Sequence, residues 1–171
     1  DSDSRGDENY TYDANGNRVD SHLHGTGYVT GPNNRLLSDG TYNYDYDAEG
    51  NMIGRTEIAT GLVRQFEYDH RNRMTRVTDF DSLGGAVTQA VEYIYDALNR
   101  RIAKTVDADG AGAGIETTEH YVYDGQHVAL EFVDVDGSGT VDQPELMLRN
   151  LFGPGIDQIL AQEDVQAGAK E

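Results

Sequence analysis

The chain has no cysteine and no tryptophan, only 3 prolines, and only 13 basic residues against 31 acidic ones. Without cysteine there is no disulfide and no zinc–thiolate site. Any staple must therefore come from packing or from a hard cation held by oxygen atoms. A net charge of -18 repels phosphate backbones, so nucleic acid is excluded as an expected partner. No stretch approaches the roughly 18 apolar residues that a membrane helix needs, and membrane insertion is not expected. The opening residues, Asp1 to Glu8, are polar and acidic and carry no signal-peptide pattern. Apolar residues make up 37% of the 171, a modest supply for a core. The length suits one domain or one segment of a longer repeat array.

Glycine and tyrosine are what the sequence has in quantity, with 20 Gly and with 11 Tyr against 4 Phe. Together with Asp, Asn and Thr they favour short strands joined by tight turns. One pattern recurs: aromatic, any residue, Tyr, Asp, then a polar turn. It occurs as Tyr10-Thr11-Tyr12-Asp13, Tyr44-Asp45-Tyr46-Asp47, Phe66-Glu67-Tyr68-Asp69, Tyr93-Ile94-Tyr95-Asp96 and Tyr121-Val122-Tyr123-Asp124. The second tyrosines are spaced by 34, 22, 27 and 28 residues, so the unit is irregular.

Aromatics at i and i+2 share one face of a strand. The Asp that follows can accept backbone N–H groups of the turn. Three residues after the first four Asp come Gly16, Gly50, Asn72 and Asn99, the residue types that best tolerate a left-handed backbone. In the fifth copy, Asp124-Gly125 reads as a shorter, two-residue turn. A second strand follows each turn, at Asn17-Arg18-Val19, Asn51-Met52-Ile53, Arg73-Met74-Thr75 and Arg100-Arg101-Ile102-Ala103. The expected fold is all-β, with successive hairpins pairing edge to edge into one long antiparallel sheet. Stacked aromatic pairs would add roughly 0.5–1 kcal/mol each.

These copies resemble the YD repeats of the Rhs/teneurin-like superfamily, in its bacterial type. Two further segments are similar to that family: NRLLSDGTYNYDYDAEG, from Asn34 to Gly50, and Leu151-Phe152-Gly153-Pro154-Gly155-Ile156-Asp157-Gln158. The resemblance covers about residues 10–163, between acidic tails at 1–9 and 164–171. It implies a spiralling, shell-like strip that serves as an extracellular or cell-surface scaffold, or that encloses a C-terminal toxin as cargo. Against that pattern, the sequence shows no Asp-x-x-Gly self-cleavage signature and no toxin domain. Five copies are too few for a closed cocoon.

An acidic stretch interrupts the repeats: Asp134-Val135-Asp136-Gly137-Ser138-Gly139-Thr140-Val141-Asp142-Gln143-Pro144-Glu145. Side-chain oxygens from Asp134, Asp136, Ser138, Asp142 and Glu145 fall at loop positions 1, 3, 5, 9 and 12. Gly139 sits at the sharp bend, and Thr140 can offer its carbonyl at position 7. This is the calcium-loop pattern of an EF-hand, and Ca2+ is the expected ligand. The flanks depart from an EF-hand. His127 to Val133 alternates like a strand, and Pro144 to Leu151 could be a helical turn or a strand. The loop reads as an insertion at a hairpin tip.

Other candidates are weak. Asp107-Ala108-Asp109-Gly110-Ala111-Gly112 lacks oxygens at loop positions 5 and 12. His22 and His24 have no carboxylate partner in the sequence pattern. Arg5-Gly6-Asp7 lies in an acidic tail, and Asn9-Tyr10-Thr11 is a glycosylation sequon. Carboxylates recur with the repeat, which points to turn-making, and no nucleophile motif is present. No enzymatic activity is expected. Two readings follow. One is a structural strip, calcium-stabilised and open at both edges, able to form homo-oligomers or filaments by strand pairing, the N-terminal hairpin meeting the strand near Leu146 to Phe152. The other is a calcium-dependent adhesion or binding module.

Overall fold

The structure is a computed structural model that describes residues 8–114, 116–134, 145–153 and 158–165. Fourteen strands follow one another: β1 Tyr10–Tyr12, β2 Arg18–Ser21, β3 Tyr28–Thr30, β4 Leu36–Asp39, β5 Tyr42–Tyr46, β6 Met52–Glu57, β7 Val63–Tyr68, β8 Met74–Phe80, β9 Val87–Tyr95, β10 Arg101–Asp107, β11 Thr117–Asp124, β12 His127–Asp134, β13 Leu146–Phe152 and β14 Ile159–Asp164. A 3-10 turn spans Pro32–Asn34. Strands β3 to β14 form one 12-stranded sheet in strict chain order, each strand antiparallel to the next.

The alternation of the sequence is the alternation of the sheet. In β5, Tyr42, Tyr44 and Tyr46 are half-buried and Asn43 and Asp45 are exposed. In β9, Tyr93 and Tyr95 are half-buried around an exposed Ile94. The sheet is a single layer, so little is fully buried. Among the described residues only Val63, Ala90, Ala103 and Leu146 are buried apolar groups. The modest apolar supply suffices because, among the described residues, no second layer packs on the strip.

Three details differ from the sequence reading. The first hairpin, β1–β2, forms a separate two-stranded sheet and does not join the long ladder. A tight turn closed by the Ser21↔Gly25 bridge breaks the pairing, and side chains make the joint instead. Ser21 Oγ lies 3.1 Å from Tyr28 Oη, and the Arg18 guanidinium lies over the Tyr28 ring. Second, the stretch after Pro144 is strand, and it is interior: β13 lies between β12 and β14. The C-terminal edge is therefore β14 and not Leu146–Phe152. Third, among the described residues two further strand pairs, β3–β4 and β13–β14, repeat the pairing of the five copies.

Each of these seven pairs carries a bulge near its turn. One residue near the start of the second strand has no partner: Val19, Leu37, Ile53, Thr75, Ile102 and Leu160 after the first pair, and Ala129 after the second. A bulge bends its strand and increases the local right-handed twist. Bulges repeated along a sheet are a device that curves it.

Candidate functional site: the aspartate rim and the tyrosine ladder

The turns line up along one rim of the sheet, and each is built around its Asp. Asp13 Oδ1 accepts the backbone N–H of Asn15 and Asn17, both at 2.8 Å. Asp47 takes Gly50 and Asn51 at 2.8 Å, Asp69 takes Arg71 and Arg73 at 2.8 and 3.1 Å, and Asp96 takes Leu98 and Arg100 at 2.8 and 2.9 Å. Gly16, Gly50, Asn72 and Asn99 close these turns at φ of 82°, 97°, 57° and 67°. The left-handed positions read from the sequence are thus occupied as expected. Gly125, at φ 60°, opens the two-residue turn of the fifth copy, where Asp124 pairs with His127.

The second carboxylate oxygen of each Asp binds the side chain four residues on: Asn17, Asn51, Arg73 and Arg100, at 3.0, 2.8, 2.7 and 2.7 Å. These bonds favour the ionised carboxylate. The Arg73 side chain is the largest influence on Asp69 and pulls it down to about 2. Side-chain bonds from Asn17 and Asn51 lead the lowering of Asp13 and Asp47. At Asp96, desolvation raises the pKa and is outweighed by the backbone and side-chain bonds from Arg100, for a net lowering.

The same side chains reach on to the next turn. Asn17 Nδ2 donates to Asn34 Oδ1 at 3.3 Å, and Asn51 Nδ2 to Asn72 Oδ1 at 3.1 Å. Arg73 donates to the Asp96 carbonyl and to Asn99 Oδ1, both at 3.1 Å, and Arg100 donates to the Gly125 carbonyl. Arg73 and Arg100 also lie over the rings of Tyr95 and Tyr123, at 4.7 and 4.6 Å. Cation–π contact adds to the link.

A second set of links uses the tyrosine hydroxyls. Tyr46, Tyr68, Tyr95 and Tyr123 donate to the carbonyls of Leu36, Met52, Met74 and Arg101, at 2.9, 3.0, 2.8 and 2.8 Å. Each acceptor is the residue that opens the second strand of the preceding hairpin. The sequence reading assigned these tyrosines to plain packing and missed the ladder. A signal was present. The first aromatic of the motif varies between Tyr and Phe, while the second is Tyr in all five copies. A position that is Tyr in all five of these copies has a use for the hydroxyl.

The ladder exposes a further repeat, in which Thr30 and Gly31 stand at the positions of the second tyrosine and the turn aspartate. Gly31 donates its N–H to the Arg35 carbonyl at 2.8 Å, as Asp47 does to Asn51 at 3.0 Å. Asn34 is left-handed at φ 55°. Arg35 donates to the Asp47 carbonyl at 2.9 Å and lies over the Tyr46 ring. The gap of 34 residues between Tyr12 and Tyr46 is therefore two repeats long. At the far end, Phe152 has no hydroxyl, and Asn150 Nδ2 takes the Val128 carbonyl at 3.0 Å in its place.

Of the six calcium-loop residues, Asp134 and Glu145 lie among the described residues. Asp136, Ser138, Thr140 and Asp142 lie outside them. Asp134 ends β12 and is 1% exposed, and Glu145 precedes β13 and is 9% exposed. The pair Phe132↔Leu146 brings these loop ends to one end of the hairpin. No cluster of three or more metal-ligating groups occurs among the described residues. His24 Nδ1 is 3.0 Å from Thr41 Oγ1, and His22 packs edge-on against Tyr10. Asp107 caps its own turn by accepting Asp109 and Gly110 N–H at 3.2 and 2.8 Å. Arg5-Gly6-Asp7 lies outside the described residues.

A single-layer strip of bulged hairpins, cross-linked at rim and ladder, defines a class of β-wall proteins. A family profile described as Teneurin YD-shell matches residues 2–114, and the chain belongs to that family. No curated protein matches it. Solved structures do. One, described as "Crystal Structure of TcdB2-TccC3-TEV", is 13% identical over 79% of this chain and 8% of the other, with a TM-score of 0.41. Another, "Crystal Structure of TcdB2-TccC3-Cdc42", is 13% identical over 86% of this chain and 9% of the other, with a TM-score of 0.35. The chain thus spans under a tenth of the length of either solved chain.

Proposed function

We propose that this chain is a length of shell wall, a scaffold rather than an enzyme, working outside the cell or at its surface. The observation that carries this reading is the hydroxyl-to-carbonyl ladder. It ties each hairpin to the one before it with bonds that serve continuity and leave the aspartates committed to turns. A wall that encloses cargo must resist proteases. Limited digestion with a non-specific protease is expected to spare β5 to β12 under native conditions. Rapid cleavage inside β7 to β10 would count against the wall.

Calcium is proposed as a staple at Asp134, Asp136, Ser138, Thr140, Asp142 and Glu145. Support comes from the spacing of the oxygen donors and from the pair Phe132↔Leu146, which brings Asp134 and Glu145, the two ends of the loop, to one end of the hairpin. Calcium should raise the melting temperature, because a ligand of the folded state stabilises it. Glu145→Ala should lose most of that rise. Absence of any binding heat at millimolar calcium rejects the staple.

The wall is also proposed to associate with itself through its sheet edges. Among the described residues nothing covers the outer side of β14, and an unpaired edge is a template for another strand. Sedimentation across a wide concentration range tests this, and a strictly monomeric species removes it.

A further inference from the structure

We propose that the outer edge of β14 is a docking edge for an aromatic-x-Tyr-Asp strand, and that β1 of a second copy of this chain is the strand it takes. The inference rests on the edge-pairing reading above and adds its register and its recognition element.

The rule that supplies the register operates four times within the chain. The tyrosine of one hairpin reaches the carbonyl that opens the second strand of the previous hairpin. Each acceptor is the residue paired with the preceding turn's Tyr or its counterpart: Leu36 with Thr30, Met52 with Tyr46, Met74 with Tyr68 and Arg101 with Tyr95. In the last hairpin the equivalent pair is Phe152↔Ile159. The preceding carbonyl, on Gln158, turns inward to Gly153 N–H at 2.8 Å, as the Asn51 carbonyl turns inward to Asp47 N–H. Carbonyls alternate along a strand, so that of Ile159 faces outward, where Met52 presents its own to Tyr68. The edge therefore ends on an acceptor placed for a phenol.

The first hairpin presents the matching donor. Tyr10-Thr11-Tyr12-Asp13 is a full motif, and β1 pairs only with β2. Tyr12 is 55% exposed and lies beside Arg18 of its own hairpin, with no preceding strand among the described residues. The ladders Gly54↔Gln65, Thr78↔Ala90 and Ala103↔His120, continued by two or four residues, set each acceptor opposite the middle residue of the motif. In the docked edge Ile159 then faces Thr11, and Leu160 faces Tyr10. Leu160, at 56% exposed, would lie across from the Tyr10 ring. The contact is head-to-tail and heterologous, so repetition gives a ring or an open filament.

The absence of cysteine makes the test direct. Thr11→Cys and Ile159→Cys are prepared as separate variants of the full chain, mixed, and treated with a short bis-maleimide. A covalent heterodimer is expected from this mixture. A mixture of Thr11→Cys with Leu83→Cys, an exposed residue in the β8–β9 turn, should give none. If either variant melts below the parent, Asn9→Cys with Ala161→Cys probes the same register. Tyr12→Phe should weaken association about fivefold, the equivalent of one hydrogen bond, without changing the β-sheet signal. Association with no Thr11–Ile159 product overturns this register and leaves edge pairing standing. A chain that stays monomeric at high salt and high concentration overturns both.

Discussion

At the scale of single residues, the motif divides its labour between two groups. The aspartate makes the turn, and the hydroxyl of the second tyrosine binds the turn's hairpin to its neighbour. Tyr95→Phe removes the 2.8 Å bond to Met74 and nothing else of size, so it should cost about 1 kcal/mol in urea unfolding. Tyr93→Phe, at the first aromatic position, should cost less, because Phe66 already fills that position in another copy. Asn99 is left-handed at φ 67° and its Oδ1 accepts from Arg71 and Arg73, so Asn99→Gly should keep the turn and lose only those bonds, about 1 kcal/mol, while Asn99→Val, strained as well, should cost about 1–2 kcal/mol more. The carboxylates also set an acid limit. Asp13, Asp47, Asp69 and Asp96 have folded pKa values below the ordinary 3.8, with Asp69 at about 2. A lowered folded value means that the unfolded chain binds protons first. The stabilisation is complete above pH 4 and is lost as pH falls from about 4 towards 2. Melting temperature against pH should fall through that window, and Asp69→Asn should flatten the fall.

At the scale of the hairpin, the rim residue four places after the Asp comes in two forms. Asn17 and Asn51 bridge to the next turn through an amide, whereas Arg73 and Arg100 do so through a guanidinium that also covers a tyrosine. The two forms close the same link, so Arg73→Asn should retain most of the stability that Arg73→Ala loses, about 1–2 kcal/mol by chemical denaturation. The sequence made much of this readable. Tyr-x-Tyr-Asp with a Gly or Asn three residues later specifies strand, cap and left-handed closure from local chemistry alone. The hairpin at Thr30 was not readable, because Thr30-Gly31 stands where the other copies have Tyr-Asp, and only Asn34 of the marker residues remains. The ladder was hidden for a different reason. Its acceptors are backbone carbonyls, which any residue supplies, and only the constancy of the second tyrosine hints at them. The separation of the first hairpin was hidden as well, since it depends on a break at Ser21↔Gly25 that the repeat pattern passes over.

At the scale of the whole strip, the strand contacts run between neighbours in the chain, with no second layer behind them. A structure held by nearest-neighbour links behaves as a one-dimensional array, in which each hairpin is stabilised by those on either side. Central hairpins have two neighbours and terminal ones have one. Opening should therefore begin at the ends and proceed inward, with free energies graded along the chain rather than shared. Native-state hydrogen exchange is the measurement. Amides of β7 to β10 should exchange slowest, and those of β3, β4, β13 and β14 faster. Val63, Ala90 and Ala103, three of the four buried apolar residues, sit in the slow segment. Leu146, the fourth, sits where β13 begins, so calcium bound beside it should slow exchange in β12 and β13 and leave β4 and β5 unchanged. Uniform protection from β3 to β14, lost in a single step, would show that the strip folds as one cooperative body and would overturn the nearest-neighbour account.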